Sequence, residues 1–353
     1  MAEEKRLMKG NEAIGEAAVR AGCTAYFGYP ITPQNELTAY MAKHMLDHKR
    51  VFIQAESEVS AINMVYGAAA TGARAMTSSS SPGISLKQEG ISYACGADVP
   101  CVVVNVARSG PGLGGISPAQ GDYFQSTRGG GHGDYYHIVL APKSVQEAAD
   151  LTYLAFDLAD KWRMPVMVLA DGMIGQMMEG VTFPRPRELS ELPAKPWAVG
   201  DSGGRELHHV DSTHLVPDEF EATNRERFKR YEEIKASETR IEEHDVQGAE
   251  LILVAYGTSA RVCLGAMEEA RKLGLKVGLL RPITLWPFPE KRVAELAGTG
   301  AKFLTVEMSM GQMVEDVRLH THGKAEVFFY GRCGGNIPTE EDVLAEIRSI
   351  LKK

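Results

Sequence analysis

Residues 101–115 read CVVVNVARSGPGLGG, and the first six of them decide the architecture. Every side chain in CVVVNV except Asn105 is apolar. A run this short and this rich in β-branched residues is a strand rather than a helix, and its lack of alternation means that both faces are covered. Residues 166–170 (VMVLA) repeat the pattern. Helical patterns stand around these runs. Residues 11–21 place Ile14, Ala17, Ala18 and Ala21 at helical spacing, with Gly22 as a stop signal. Residues 25–27 read as a short buried strand that Tyr29 and Pro30 end in a loop, and residues 60–72 as an alanine- and glycine-rich helix. Buried strands separated by helices predict an α/β fold on a parallel sheet.

Beyond residue 182 the character changes. Proline-rich text (FPRPRELSELPAKP, 183–196) leads to a highly charged stretch, 217–243, whose composition predicts an exposed helix. Residues 251–256 (LILVAY), a helical run over 260–273 and residues 276–280 (KVGLL) then form a strand–helix–strand unit. Strands at 303–307 and 327–330 and a last helix at 340–351 complete it. The expected organisation is a parallel-sheet domain over 1–183, a linker with a charged helix over 184–246, and a smaller α/β domain over 247–353.

Composition narrows the function. A chain of 353 residues is long for one core, so two domains are expected. The net charge of -8 disfavours nucleic acid as a general partner, because phosphate binding needs a basic surface. No segment approaches the roughly 20 apolar residues of a membrane span. The opening MAEEKRLMKG has no apolar core of a secretory signal, so the cytoplasm is the expected location. Cys23, Cys95, Cys101, Cys263 and Cys333 are scattered, with no CxxC pair to hold zinc or an iron–sulfur cluster. No metal site is expected on this chain.

Four constellations could carry chemistry, and each has a plainer reading. In Gly28–Pro33 (GYPITP) two prolines fix a loop around Thr32, which could bond a substrate carboxylate or carbonyl, or simply cap the next helix. In residues 54–58 (QAESE), Glu56 and Glu58 stand at a helix start, where carboxylates often do no more than complement the helix dipole. They cannot share one helical face, so at most one enters a pocket, where burial would suit it to proton shuttling. Residues 77–83 (TSSSSPG) could cradle an anion or form a flexible polar loop. Arg108, directly after the strand, could clamp a carboxylate bidentately or anchor its own glycine-rich loop by bonding carbonyls. The glycines do not fit a dinucleotide fingerprint. Gln120, Asp122 and the glycines around His132 read as a mobile loop, and His132 and His137 lack a third metal ligand at suitable spacing.

The order of these signals resembles the alpha-type subunit of the 2-oxoacid:ferredoxin oxidoreductases. The likeness runs through KGNEAIGEAAVRAGC (9–23), GYPITP (28–33), QAESEVSAINMVYGAAATGARAMTSSSSPG (54–83) and VVNVARSGPGLGGISPAQGD (103–122). It continues in AYGTSA (255–260), LLRPITLWPFP (279–289), VEMSMGQM (306–313) and GRCGGNIP (331–338). The family's commoner serine motif has TSGPG where this chain has Ser79-Ser80-Ser81-Pro82-Gly83. That departure, the short length and ARSGPGLGGI are most like the 2-oxoisovalerate, or branched-chain, group; 2-oxoglutarate and pyruvate stay open.

The resemblance implies a pyrimidine-type thiamine-diphosphate-binding domain over 1–183 and a transketolase-C-like domain over 247–353. It puts Glu58 beside N1′ of the aminopyrimidine, Tyr29 and Pro30 along the cofactor, and Thr32 and Arg108 on the 2-oxoacid. It also implies CoA as acyl acceptor and electrons leaving to ferredoxin. This chain lacks a GDG…N pattern for the diphosphate and its Mg2+, and lacks cysteine clusters. Mg2+ and 4Fe-4S clusters are therefore expected on partners: a beta-type subunit, a gamma-type subunit and a ferredoxin-like subunit. A non-oxidative thiamine decarboxylase half-chain is the rival within enzymes.

Overall fold

The computed structural model describes residues 5–200, 204 and 206–352. Its larger sheet has seven strands, in the order Thr284–Trp286, Ile138–Leu140, Pro165–Asp171, Cys101–Ala107, Ala75–Ser79, Ala25–Gly28 and Val51–Gln54. All neighbours run parallel except Thr284–Trp286, which pairs antiparallel with Ile138–Leu140. Cys101–Ala107 lies at the centre with every residue buried. Each buried valine there contributes roughly 1.5–3 kcal/mol. Helices Gly10–Arg20 and Val145–Trp162 pack as one pair, Glu58–Ala70 and Ser81–Gly96 as another. The second pair comes close because Gly90 faces Ile62, where a Cβ would meet Ile62 Cγ1 at 2.6 Å.

The smaller sheet has the order Val327–Gly331, Lys302–Glu307, Leu251–Val254, Val277–Pro282 and Ile241–His244. Only the last strand is antiparallel to its neighbour. Helices Gly257–Lys272 and Glu340–Leu351 pack beside it.

Three details differ from the sequence expectations. Residues 241–244, expected in the linker, form an edge strand of the smaller sheet. Glu242 there pairs with the fully buried Arg281 at 2.8 Å and with Lys143, which is why so charged a segment can join a sheet. The helix Pro217–Glu238 is exposed over most of its length but buries Arg227, Tyr231, Ile234 and Glu238, a stripe at helical spacing. Tyr231 meets Trp286 and Tyr136 edge-on, so the charged helix is fastened by aromatic contacts. Thr284–Trp286, from the C-terminal part, closes the edge of the N-terminal sheet, because Leu285 and Trp286 are buried in its core.

Among the described residues no group of histidine, cysteine and carboxylate side chains has the geometry to hold a metal ion. No helix among them is long and apolar enough to cross a membrane. Cys23, Cys95, Cys101 and Cys263 are buried thiols, and Cys333 is exposed.

Candidate active site

The four constellations follow Ala25–Gly28, Val51–Gln54, Ala75–Ser79 and Cys101–Ala107, which are neighbours in one parallel sheet. Parallel strands end on the same side, so all four loops meet at the carboxyl edge, where open α/β sheets bind ligands.

Arg108 is 7 % exposed. Its Nη1 donates to the Thr32 carbonyl at 2.9 Å and its Nη2 to the Leu113 carbonyl at 3.0 Å. Nε is buried with no partner. The guanidinium thus joins two loops through carbonyls, the plainer of the two uses, yet keeps an unspent donor and no carboxylate partner among the described residues. Thr32 is half-buried and does not cap the helix Asn35–Asp47, whose cap position is Gln34; its Oγ1 accepts from Asn35 Nδ2 at 3.3 Å. Tyr29 is half-buried, with its carbonyl held by Gln34 Nε2 at 3.3 Å, and Pro30 is exposed.

Glu56 and Glu58 part company as their spacing requires. Glu56 is exposed and accepts from Ser60 Oγ, which lowers its pKa. Glu58, the first residue of its helix, is 7 % exposed. Its carboxyl group has no hydrogen-bond partner among the described residues. It lies against Gly83, where a Cβ would come within 2.7 Å of Glu58 Oε1 and 2.1 Å of Ser79 Oγ. A Cβ at position 83 would force both side chains to shift.

The serine run is no flexible loop. Thr77, Ser78, Ser79 and Ser80 are fully buried, the first three in the strand and Ser80 at the cap position of Ser81–Gly96. Ser78 Oγ donates to Gln34 Oε1 at 2.6 Å and shares a 2.6 Å hydrogen bond with Tyr26 Oη. Thr77 Oγ1, Ser79 Oγ and Ser80 Oγ have no partner. Orphaned buried hydroxyls cost about 1–3 kcal/mol each, and Ser79 Oγ, which shares the Gly83 gap with the unpartnered Glu58 carboxyl group, suits a polar ligand.

The loop of Gln120 and Asp122 is fixed rather than mobile. Gln120 Nε2 donates to the Tyr256 carbonyl at 2.8 Å, and its Oε1 accepts from Ser259 Oγ at 2.7 Å and Met308 N at 3.0 Å, clamping the two domains. Asp122 accepts from Ser81 Oγ at 2.6 Å and Asn105 Nδ2 at 2.8 Å; burial pushes its pKa up, with those two bonds offsetting part of the rise. Beside it an open cleft of about 550 Å³ separates the domains, lined by Ser81, Ser109, Asp122, Met308, Gln312 and Cys333. His132 is exposed, while burial pushes the pKa of His137 down to about 4. Sequence reasoning missed Lys87, a fully buried lysine on Ser81–Gly96. Its spacing was the available signal, for it stands three residues after Ile84 and four before Ile91, both buried.

Residues 16–247 match the family described as pyruvate flavodoxin/ferredoxin oxidoreductase, thiamine diphosphate-binding, and residues 249–343 match pyruvate:ferredoxin oxidoreductase core domain II. The chain belongs to this oxidoreductase family. It is 51 % identical over 345 residues to the ketoisovalerate oxidoreductase subunit VorB of Methanothermobacter marburgensis, covering 98 % of this chain and 97 % of that one. It is 36 % identical over 366 residues to the 2-oxoglutarate synthase subunit KorA of Methanothermobacter thermautotrophicus, covering 97 % of each. Among solved structures, a 2-oxoglutarate:ferredoxin oxidoreductase from Magnetococcus marinus, with 2-oxoglutarate, coenzyme A and succinyl-CoA bound, superposes with a TM-score of 0.88 at 27 % identity. That match covers 98 % of this chain and 65 % of the other. As a member of the family the chain carries its thiamine-diphosphate-binding domain, and the unpartnered Glu58 carboxyl group beside Gly83 and the orphaned hydroxyls suits a cofactor with polar edges.

Proposed function

We propose that this chain supplies the pyrimidine-side half of the thiamine diphosphate site in a CoA-dependent 2-oxoacid:ferredoxin oxidoreductase acting on 2-oxoisovalerate. The observation that carries the reading is Glu58, a buried carboxyl group that the fold leaves without a partner. The 51 % identity to a ketoisovalerate oxidoreductase subunit, against 36 % for a 2-oxoglutarate synthase subunit, favours the branched-chain substrate.

Bound thiamine diphosphate supplies the carbanion chemistry that cleaves a 2-oxoacid beside its keto carbon. Glu58 would hold a proton at the pyrimidine nitrogen N1′; in a dry niche such a bond is stronger than in water and needs no reorganisation. Arg108, through its free Nε and by exchanging a carbonyl for the ligand, would bind the substrate carboxylate, with Thr32 Oγ1 orienting the same molecule. Gly83, having no Cβ, would leave room beside the Glu58 carboxyl group for the cofactor ring. Tyr29 and Pro30 would bound the cofactor on the exposed side.

Glu58 and Thr32 do not line the inter-domain cleft, and the carboxyl edge of the sheet offers no second carboxylate set for Mg2+ among the described residues. In this reading the diphosphate, its Mg2+ and the 4Fe-4S clusters belong to beta-type, gamma-type and ferredoxin-like partner chains. Electrons released from the 2-oxoacid pass to ferredoxin, and coenzyme A takes the acyl group.

The test is anaerobic purification of the chain with its partners, followed by viologen reduction with coenzyme A, thiamine diphosphate and a panel of 2-oxoacids. Fastest reduction with 2-oxoisovalerate supports the reading. Preference for 2-oxoglutarate or pyruvate reassigns the substrate, and a complex without clusters that reduces nothing removes the oxidoreductase reading.

A further inference from the structure

Lys87 is buried in the helix Ser81–Gly96 with no surface exposed to water. An ammonium carries three donors, and here one has a protein acceptor among the described residues: the main-chain carbonyl of Glu58, 3.2 Å from Nζ. A buried ammonium so poorly partnered is costly. The same stripe of the helix buries Ile84 and Ile91, so an apolar side chain would satisfy the packing at position 87 without that cost. The bond it makes is to the residue proposed to hold the cofactor proton.

We propose that Lys87 is a positioning residue for Glu58: it fixes the first turn of the helix Glu58–Ala70 through the Glu58 carbonyl, and its charge is coupled to the Glu58 carboxyl group. The inference rests on the reading of Glu58 as the cofactor's proton partner. Two consequences follow from charge alone. Removing a neighbouring cation raises the pKa of a carboxyl group, so the coupling is read from a variant that lacks the Lys87 charge. Glu58 in turn acts on Lys87, whose pKa burial pushes down to about 8 while the Glu58 charge holds it up. The neighbouring elements offer few competitors. Strand Cys101–Ala107 brings the Cys101 thiol, and strand Pro165–Asp171 brings Asp171, whose carboxylate is committed to Met173, Ile174 and Thr258. Strand Ala25–Gly28 brings Tyr26, pushed up to about 12 by burial. Among the described residues Glu58 is the charged group that acts on Lys87.

The test uses the assembled complex loaded with thiamine diphosphate and Mg2+, and reads deuterium exchange at C2 of the bound cofactor as a function of pH. Turnover is not the readout. The Lys87→Met variant is expected to move the exchange profile upward by about one pH unit, and Lys87→Arg to restore most of the wild-type profile. An unchanged profile in Lys87→Met, with Glu58→Gln abolishing exchange, makes Lys87 a packing residue and sinks the inference alone. Normal exchange in Glu58→Gln sinks the inference together with the reading beneath it. Should Lys87→Met fail to assemble, an NMR titration of the lysine Cε in Glu58→Gln decides: a lower Lys87 pKa than in the wild type supports the coupling, and an equal one overturns it.

Discussion

Glu58 and Glu307 are both buried carboxyl groups, one in the first turn of a helix and one at a strand end facing a helix start, and the fold treats them in opposite ways. Glu307 ends the strand Lys302–Glu307 and turns back on the helix Met313–His320. Its oxygens accept from Gln312 N, Met313 N at 3.1 Å, Val314 N at 2.9 Å and Ser309 Oγ at 3.0 Å. Burial raises its pKa and those donors offset part of the rise. Glu58 opens the helix Glu58–Ala70 in the other domain, with its carboxyl group unspent. Helix ends leave N–H groups that a carboxylate can satisfy, and Glu307 does this work for its domain. Glu58 does not, although burial makes the omission expensive. A group that folding has satisfied explains itself by stability; one that folding has left open asks for a ligand.

The contrast can be broken or sharpened by substitution. The largest effect is expected for Glu58→Gln, which keeps the shape and removes the proton: turnover in the viologen assay falls by about 10²–10⁴-fold while the melting temperature hardly moves. Full activity would falsify the reading of the open carboxyl group. Glu307→Ala should behave in the reverse way, losing roughly 3 kcal/mol in denaturant unfolding because several main-chain donors are stranded, and the comparison collapses if stability is untouched. Next comes Arg108→Ala, expected to raise KM for the 2-oxoacid about 100-fold, with the sharper result being a smaller loss for Arg108→Lys, which keeps the charge without the fork.

The smallest effect tests the converse, since not every open group marks a site. His137 Nε2 is also buried without a partner, but it stacks on Tyr135 away from the carboxyl edge of the sheet. Its pKa is pushed down to about 4 by burial, against about 6.5 unfolded. Between those values the unfolded chain binds the extra proton, so stability present above pH 6.5 is lost as the pH falls toward 4. Roughly 2 kcal/mol should disappear between pH 7 and pH 5 in pH-dependent unfolding, and His137→Leu should flatten that slope with turnover nearly unchanged. A large loss of turnover in His137→Leu would place this histidine in the chemistry.

How much of this was legible beforehand depends on the kind of signal. The strands Cys101–Ala107 and Pro165–Asp171 stand in the sequence as apolar runs, because a strand covered on both faces has no polar alternation to hide it. The loops with Thr32, Glu58 and Arg108 follow from proline, glycine and helix-start signals, and their meeting at one edge follows from parallel pairing. The serines misled in part: a polar run reads as loop, and only the sheet shows that Thr77, Ser78 and Ser79 are interior strand residues. Lys87 was overlooked because a lysine in a helix ordinarily faces water, and the spacing that puts it in line with Ile84 and Ile91 does not say that the helix Glu58–Ala70 packs over that stripe. Ile241–His244 and Thr284–Trp286 escaped for the same reason. Their pairing partners lie in distant segments, and neither composition nor period reveals which edge a short strand will close.

The strand Thr284–Trp286 has a consequence for anyone who would divide this gene. A polypeptide ending near residue 247 would carry the whole carboxyl-edge constellation yet leave Ile138–Leu140 as a bare sheet margin, with Tyr136 and Tyr231 stripped of their indole neighbour. Such a margin is a template for self-association. The fragment is expected to sediment as aggregate when expressed alone and to become soluble when the remaining third is co-expressed as a separate piece, so the larger part of this molecule depends on the smaller for its folding.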